Sequence, residues 1–179
     1  MKKYLWVLCV ASFLNAYEAP VSFFGLLKTV YASSLYSVYV PQVGYLYCSL
    51  FGVQAPIYTN DEMPCQIDNR RALEMRYHAK NFTLRTLQLE QKYRLGYTDG
   101  YCLVQDGAHL YNATMIKEGF AVARSLPKLK GDAVLKDELG ILESIARKER
   151  KGLWGDYEKE MLCLKRIARV RPAEPQKGF

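Results

Sequence analysis

The stretch FTLRTLQLEQKYRL, Phe82 to Leu95, decides how the middle of the chain is read. Phe82 and Leu84 share one face of an extended segment, whereas Leu87 and Leu89 stand in the opposite phase. A single slip of phase inside a strand predicts a β-bulge, the device that bends strands around a small closed barrel. Downstream, YTDGY (97–101) reads as a turn and YCLVQDG (101–107) as a strand ending in another. Upstream, Pro20 to Pro56 is rich in Tyr, Val, Leu, Ser and Phe, with Pro41 to Gly44 as turn punctuation. There Leu46, Cys48 and Leu50 alternate with Tyr45, Tyr47, Ser49 and Phe51, the period of two that marks a strand with one buried face.

Helical signals flank these strands. A helix is expected within Pro64–Lys80, with Pro64 early, Asp68 as cap, and Ala72, Met75 and Ala79 on one side. Asn112 is placed to cap a short helix that Gly119 ends. Asp132 is placed to cap a longer one in which Leu135, Leu139, Leu142 and Ala146 repeat at helical spacing. Arg147, Lys148, Arg150 and Lys151 crowd its last turns, where cations complement the helix dipole, and Gly152 ends it, with Leu153 and Trp154 folding back as an apolar lock. The order of three strands, helix, two strands and two helices predicts an α+β domain: a five-stranded Greek-key barrel of OB type packed with about three helices. That domain is expected over 20–157, followed by a basic tail, 158–179, whose first half can be helical and whose proline-containing end is read as loose.

The start of the chain has the layout of a secretory signal peptide. MKKYLWVLCVASFLNAYEA begins with two lysines, continues with an apolar run from Tyr4 to Leu14, and reaches small residues at Ala16 and Ala19. A leader over 1–16 with cleavage near 16–19 is expected; the run falls short of the about 20 apolar residues a membrane span needs. Asn15, Glu18 and Pro20 oppose its extension into an anchor. An exported protein, periplasmic or secreted, follows. Without Lys2 and Lys3 the formal charge falls from +7 to +5, which favours acidic partners only weakly. Cys48, Cys65, Cys102 and Cys163 then remain, enough for two disulfides in any of three connectivities. No two of them are spaced CxxC, and His78 and His109 are isolated, which argues against a zinc site.

One long segment is chemically quiet. From Thr29 to Asn60 there is no Asp, Glu, Lys, Arg or His. The same window holds six tyrosines, Tyr31, Tyr36, Tyr39, Tyr45, Tyr47 and Tyr58. Aromatic side chains on the sheet face of an OB barrel can stack bases or sugars, although tyrosine is also simply a good strand former.

Two longer elements carry a family resemblance. NATMIKEGFAVA (112–123) followed by LESIARKERKGLWGDY (142–157) resembles the C-terminal half of staphylococcal-type thermonucleases, roughly N-x-x-L-[VI]-x-x-G-[FYL]-A and A-[RK]-x-x-[KR]-x-G-[LI]-W. Asn112, Ile116, Gly119, Phe120 and Ala121 match the first element; Ala146, Arg147, Arg150, Gly152, Leu153 and Trp154 match the second. GLLKTVYASSLYSVYV (25–40) occupies the place of the family's first strands, and CSLFGVQAP (48–56) that of V-R-L-x-G-[IV]-D-[AT]-P-E. The likeness runs from about Phe24 to Tyr157.

The resemblance implies a calcium-dependent phosphodiesterase: aspartates of a D-G-D-T turn and of the G-[IV]-D corner hold the ion, a glutamate after the proline handles water, and two arginines neutralise phosphate. Calcium wants several hard oxygen ligands, and developing phosphoryl charge wants fixed cations. Here the D-G-D-T turn is matched by Tyr31, Ala32, Ser33 and Ser34, the corner aspartate by Gln54, the glutamate by Ile57 and the first arginine by Ser49. The second arginine has no counterpart in YTDGY; Arg94 is nearest and falls short of the place. Asp61 and Glu62 lie beyond Ile57, where a loop could return them as substitutes.

Three functions follow from this pattern. The first is an exported, thermonuclease-like but catalytically inactive protein with no cofactor, acting by binding through the tyrosine surface. A protein or glycan ligand suits an uncharged Tyr/Ser face better than nucleic acid, whose phosphates call for interleaved Lys and Arg. The second is a divergent calcium-dependent nuclease that uses Asp61 or Glu62. The third is a structural module of the cell envelope whose basic tail docks on a larger complex.

Overall fold

The computed structural model describes residues 21–56, 65, 67–124 and 133–170. The leader, Ile57, Tyr58, Asp61, Glu62, Pro64, Asp132 and the end of the chain from Arg171 lie outside them. Five strands close into a barrel: β1 (Val21–Ala32), β2 (Leu35–Val40), β3 (Gly44–Leu50), β5 (Lys92–Thr98) and β6 (Tyr101–Asp106). Their order is β3-β2-β1-β5-β6, and β3 meets β6 in parallel to complete the ring. β1 is long enough to serve two neighbours. Its first half pairs β5, Val21 opposite Tyr97 through Leu26 opposite Lys92, and its second half pairs β2. β4 (Val53–Gln54) pairs β8 (Val122–Ala123), and β7 (His109–Leu110) pairs the end of β6.

Alternation along the strands turns Leu27, Val30, Tyr36, Val38, Val40, Cys48, Leu50, Tyr93, Leu95, Cys102 and Val104 into one buried cluster. The barrel is the one expected, but the stretch read as its bent strand is not strand at its start. α1 runs Asn69–Thr86, through Phe82 and Leu84. Ala72, Met75, Ala79 and Thr83 are its buried residues, a 3-4-4 spacing that continues the expected helical face through Thr83. Phe82 stacks on Phe120 with centroids 4.3 Å apart, so the helix satisfies it as well as a strand would. Register shifts of the kind a bulge produces lie instead in β1, between Leu27 and Thr29 and between Val30 and Ala32.

Two caps differ from expectation. Asp68 caps α1 as predicted, accepting from the backbone N–H groups of Arg70 and Arg71 at 2.9 and 3.2 Å. Asn112, by contrast, sits inside α2 (Tyr111–Lys117) and caps nothing. Its buried amide ties β6 to the end of β3, accepting from the Val104 N–H and donating to the carbonyls of Phe51 and Cys102, each at 2.9 Å. α3 (Ala133–Lys148) buries Leu139 and Ala146 and packs Leu135 and Leu142 on the barrel. It stops at Arg150 rather than Gly152. Arg150 takes φ +53°, its N–H bonds the Arg147 carbonyl, and the Lys151 N–H reaches back to the Ala146 carbonyl, the paired bonds of a left-handed helix stop.

α4 (Leu153–Asp156) follows Gly152 and buries Leu153 and Trp154. α5 (Glu158–Val170) buries Met161, Cys163, Leu164, Ile167 and Ala168, so the packed body extends well past Tyr157 into the segment read as tail. The domain therefore carries five helices among the described residues, α4 and α5 adding to the three expected.

Candidate functional site

The corner singled out by the sequence lies where the β1–β2 turn, the end of β3 and the start of β6 meet. The Leu50 N–H donates to the Ser34 carbonyl at 3.0 Å, and Ser49 lies opposite Leu35 on one side and Tyr101 on the other. Ser33 and Ser49 are thus brought to one end of the barrel. Gln54 follows on β4, past Gly52, whose φ of +69° turns the chain and whose bare α-carbon accommodates Leu139. A β-carbon there would lie 2.8 Å from the Leu139 side chain.

The Ser33 carbonyl and the Gln54 amide at this corner are committed inward. The Ser33 carbonyl accepts from the hydroxyl of Tyr36 and lies 3.1 Å from that of Thr83. Tyr111, at the start of α2, in turn donates its hydroxyl to Thr83 Oγ1 at 3.0 Å. Burial is the main cause that pushes both phenols well above the ordinary tyrosine value. Ser33 Oγ is buried and has no hydrogen-bond partner among the described residues. Gln54 is only 1% exposed, and its amide donates to the Ala55 carbonyl at 3.1 Å.

Arg94 is not brought to this corner. In β5 it stands opposite Phe24 and Gln105, whereas Thr98 is the residue facing Tyr101, four positions or about 13 Å along the strand. Its guanidinium Nε donates to Ser22 Oγ at 3.0 Å. Ile57, Asp61 and Glu62 lie outside the described residues.

Four of the six tyrosines do share a surface. Tyr31, Tyr39, Tyr45 and Tyr47 lie on the outer face of β1, β2 and β3, with ring centroids 5.9 Å apart for Tyr31 and Tyr47 and 5.4 Å apart for Tyr39 and Tyr45. Tyr45 is 64% exposed. A hydrogen bond with Tyr31 is the largest cause raising the Tyr47 phenol. Ser49 continues the same side of β3, so the aromatic stripe runs to the corner. Tyr36 does not belong to this surface: it points into the barrel, is fully buried, and packs edge-on against Tyr111. Tyr58 lies outside the described residues.

Sequence reading missed Phe24, which is exposed on the same outer face with Lys92 Nζ 5.0 Å from its ring centroid. Its alternation with Phe23, which packs inward, was the signal. At the edge of this face Lys28 pairs with Glu90 at 2.6 Å, and that bond is the main cause holding the lysine above its ordinary value.

Two disulfides staple the fold. Cys48 bonds Cys102 across the parallel β3–β6 seam, and Cys65 ties the approach to α1 onto α5 through Cys163. All four candidate cysteines are used, in one of the three open pairings.

Among the described residues, the corner does not offer the ligands of the ion that a thermonuclease-like barrel implies. Ser33 and Gln54 supply no carboxylate, Gln54 is turned into its own loop, and the Ser33 carbonyl already accepts from Tyr36. Calcium draws six to eight oxygens, with carboxylates among them. Among the described residues no three of His, Cys, Asp and Glu converge.

No curated protein matches the chain. A family model does, the staphylococcal nuclease homologue, over residues 48–156, which takes in the β3–β6 seam, Asn112, Gly119, Gly152 and Trp154. That span covers more than half of the sequence and runs from the end of β3 through α4, with β1 and β2 before it and α5 after it. The chain belongs to the staphylococcal nuclease homologue family.

Proposed function

We propose that this protein is an exported member of its family that has lost calcium-dependent phosphodiester cleavage and works by binding. The observation that carries the reading is the corner itself: Ser33, Ser49 and Gln54 stand at the positions where the resemblance expects ion ligands and a phosphate-gripping arginine. None can carry the charge required. Since each 1.4 kcal/mol of barrier is tenfold in rate, losing several such groups together leaves little catalysis.

Export is supported by the leader-like start and by the pairing of all four remaining cysteines. Among the described residues, no helix is long and apolar enough to cross a membrane. Binding is assigned to the outer tyrosine face with Phe24, and the ligand to a glycan or protein surface. Three cations border that face: Lys28 is paired with Glu90, Lys92 lies over the Phe24 ring, and Arg94, opposite Phe24, bonds Ser22 Oγ. Phosphate-driven binding would need cations in greater supply.

Filter binding of single-stranded DNA over a salt series, beside a glycan panel, tests the assignment. Glycan retention that is flat in salt and lost in Tyr45→Ser and Tyr47→Ser is expected. Steeply salt-dependent DNA retention would favour a nucleic-acid ligand. The nuclease reading rests on Asp61 and Glu62, and calcium-dependent cleavage that disappears in Asp61→Asn or Glu62→Gln would replace the binding one. The envelope-scaffold reading needs a free basic tail, whereas Met161, Cys163, Leu164, Ile167 and Ala168 hold α5 against the body.

A further inference from the structure

A groove of about 920 Å³ lies between α3, α5 and the end of β8. Its floor is Gly140, Ile141 and Ile145. The two isoleucines form an i, i+4 pair outside the core-facing stripe of α3 and are 61% and 41% exposed. Gly140 sits in the middle of that helix, where glycine costs about 1 kcal/mol relative to alanine, yet a β-carbon there would meet nothing within 4 Å. The fold itself gives no steric reason for glycine at this position. A partner approaching the helix backbone closely does.

The walls are basic, and one of their cations is fixed. Exposed Lys136, Lys148 and Arg169 line the groove and make no ion pair among the described residues, against Asp137 as the one lining acid. Lys165 is held in place, bonding Glu143 Oε2 at 2.6 Å and the Ala123 carbonyl at 2.9 Å, while the same carboxylate oxygen accepts from the Ala123 N–H. That network ties α3, α5 and β8 together, so the groove is formed before anything enters it.

We infer that this groove docks an acidic, amphipathic segment of another protein, whose apolar stripe covers Ile141 and Ile145 and whose carboxylates meet the lysines and arginine at the rim. Charge selects this occupant. Of the chain's own segments outside the described residues, 1–20, 125–132 and 171–179 are net basic, while 57–64, with Asp61 and Glu62, is acidic; a groove filled by that segment would leave an added peptide unbound. A second copy would bring a formal charge of +7. A concave apolar floor also suits a side-chain stripe better than a phosphate backbone or a flat lipid surface.

The test is fluorescence anisotropy of the oxidised protein with a labelled helical peptide carrying a leucine stripe flanked by glutamates. A scrambled peptide of the same composition, duplex DNA and phosphatidylglycerol vesicles are the comparisons. Saturable binding of the striped peptide is expected, weakened about tenfold or more by Ile145→Glu and by the Lys136→Glu, Lys148→Glu pair, and unmoved by Tyr45→Ser. Gly140→Leu should also weaken it about tenfold while leaving thermal stability equal or higher, which separates lost docking from lost folding. The inference is overturned if the striped peptide does not bind or the scrambled peptide binds as well. It fails equally if these variants change nothing, or if DNA or vesicles are taken up in preference.

Discussion

Gly119 and Gly152 face each other with no room for a side chain on either. A β-carbon on Gly119 would sit 2.2 Å from the Lys151 carbonyl oxygen, and one on Gly152 would sit 2.4 Å from the Glu118 carbonyl oxygen. The Leu153 N–H donates to the Gly119 carbonyl at 3.0 Å across the same contact. Both residues also have positive φ, +77° and +50°. The contact joins the end of α2 to the entry of α4 and sets Trp154 in the core beside Val122 and Ala146.

Gly119→Ala and Gly152→Ala should therefore each lower stability by roughly 2–5 kcal/mol, combining left-handed strain with overpacking against backbone. Gly107→Ala is the control, since Gly107 has φ +57° but open space around it, and should cost only about 1–2 kcal/mol. Urea midpoints with unchanged slopes measure both.

The family's helix-end pattern was legible in this region because short-range glycine chemistry leaves a sequence mark. Its detail was not. Gly119 does end α2, but Arg150 ends α3, with its guanidinium bonding the Gly155 carbonyl at 2.7 Å. An arginine in left-handed conformation has no sequence signature. The strand reading of Phe82 to Thr86 failed for a similar reason. Phe82–Leu84 alternation is two residues long, and the buried residue proved to be Thr83, a polar side chain that apolar periodicity does not count. At the site, the absence of charge was fully visible in sequence. Which tyrosines share a face was not, because the β1 register shifts decide where Tyr31 points.

Asn112→Ala should cost roughly 2–4 kcal/mol, since it strips partners from the Val104 N–H and from the carbonyls of Phe51 and Cys102 in a dry interior. Hydrogen exchange at the Val104 amide should accelerate in step with the loss.

The two disulfides should reduce in order. Cys48 and Cys102 are fully shielded within the main core, whereas Cys65 is half-buried at the start of the α1 approach. Under native conditions with a mild reductant, Cys65 and Cys163 should label first, read by alkylation and mass spectrometry. Removing the Cys48–Cys102 bond, whose partners are 54 residues apart, should cost about 2–5 kcal/mol.

Acid should loosen α5. The Arg71 guanidinium bonds the Glu160 carboxylate and holds it below the ordinary glutamate value of 4.5, with burial opposing the shift. A carboxyl depressed in the folded state contributes stability that is full above the ordinary value and is lost as pH falls through the folded one. Urea midpoints should thus drop from about pH 4.5 downward, and Glu160→Gln should flatten that part of the difference curve.

The most direct measurement is a calcium titration of the oxidised, leader-free protein, followed by calorimetry and by hydrolysis of DNA and RNA in the same samples. No stoichiometric heat of calcium binding and no calcium-dependent product are expected, because Ser33 and Gln54 offer no carboxylate and Ser49 no cation. Saturable binding of one ion together with cleavage that rises with it would contradict a binding-only protein.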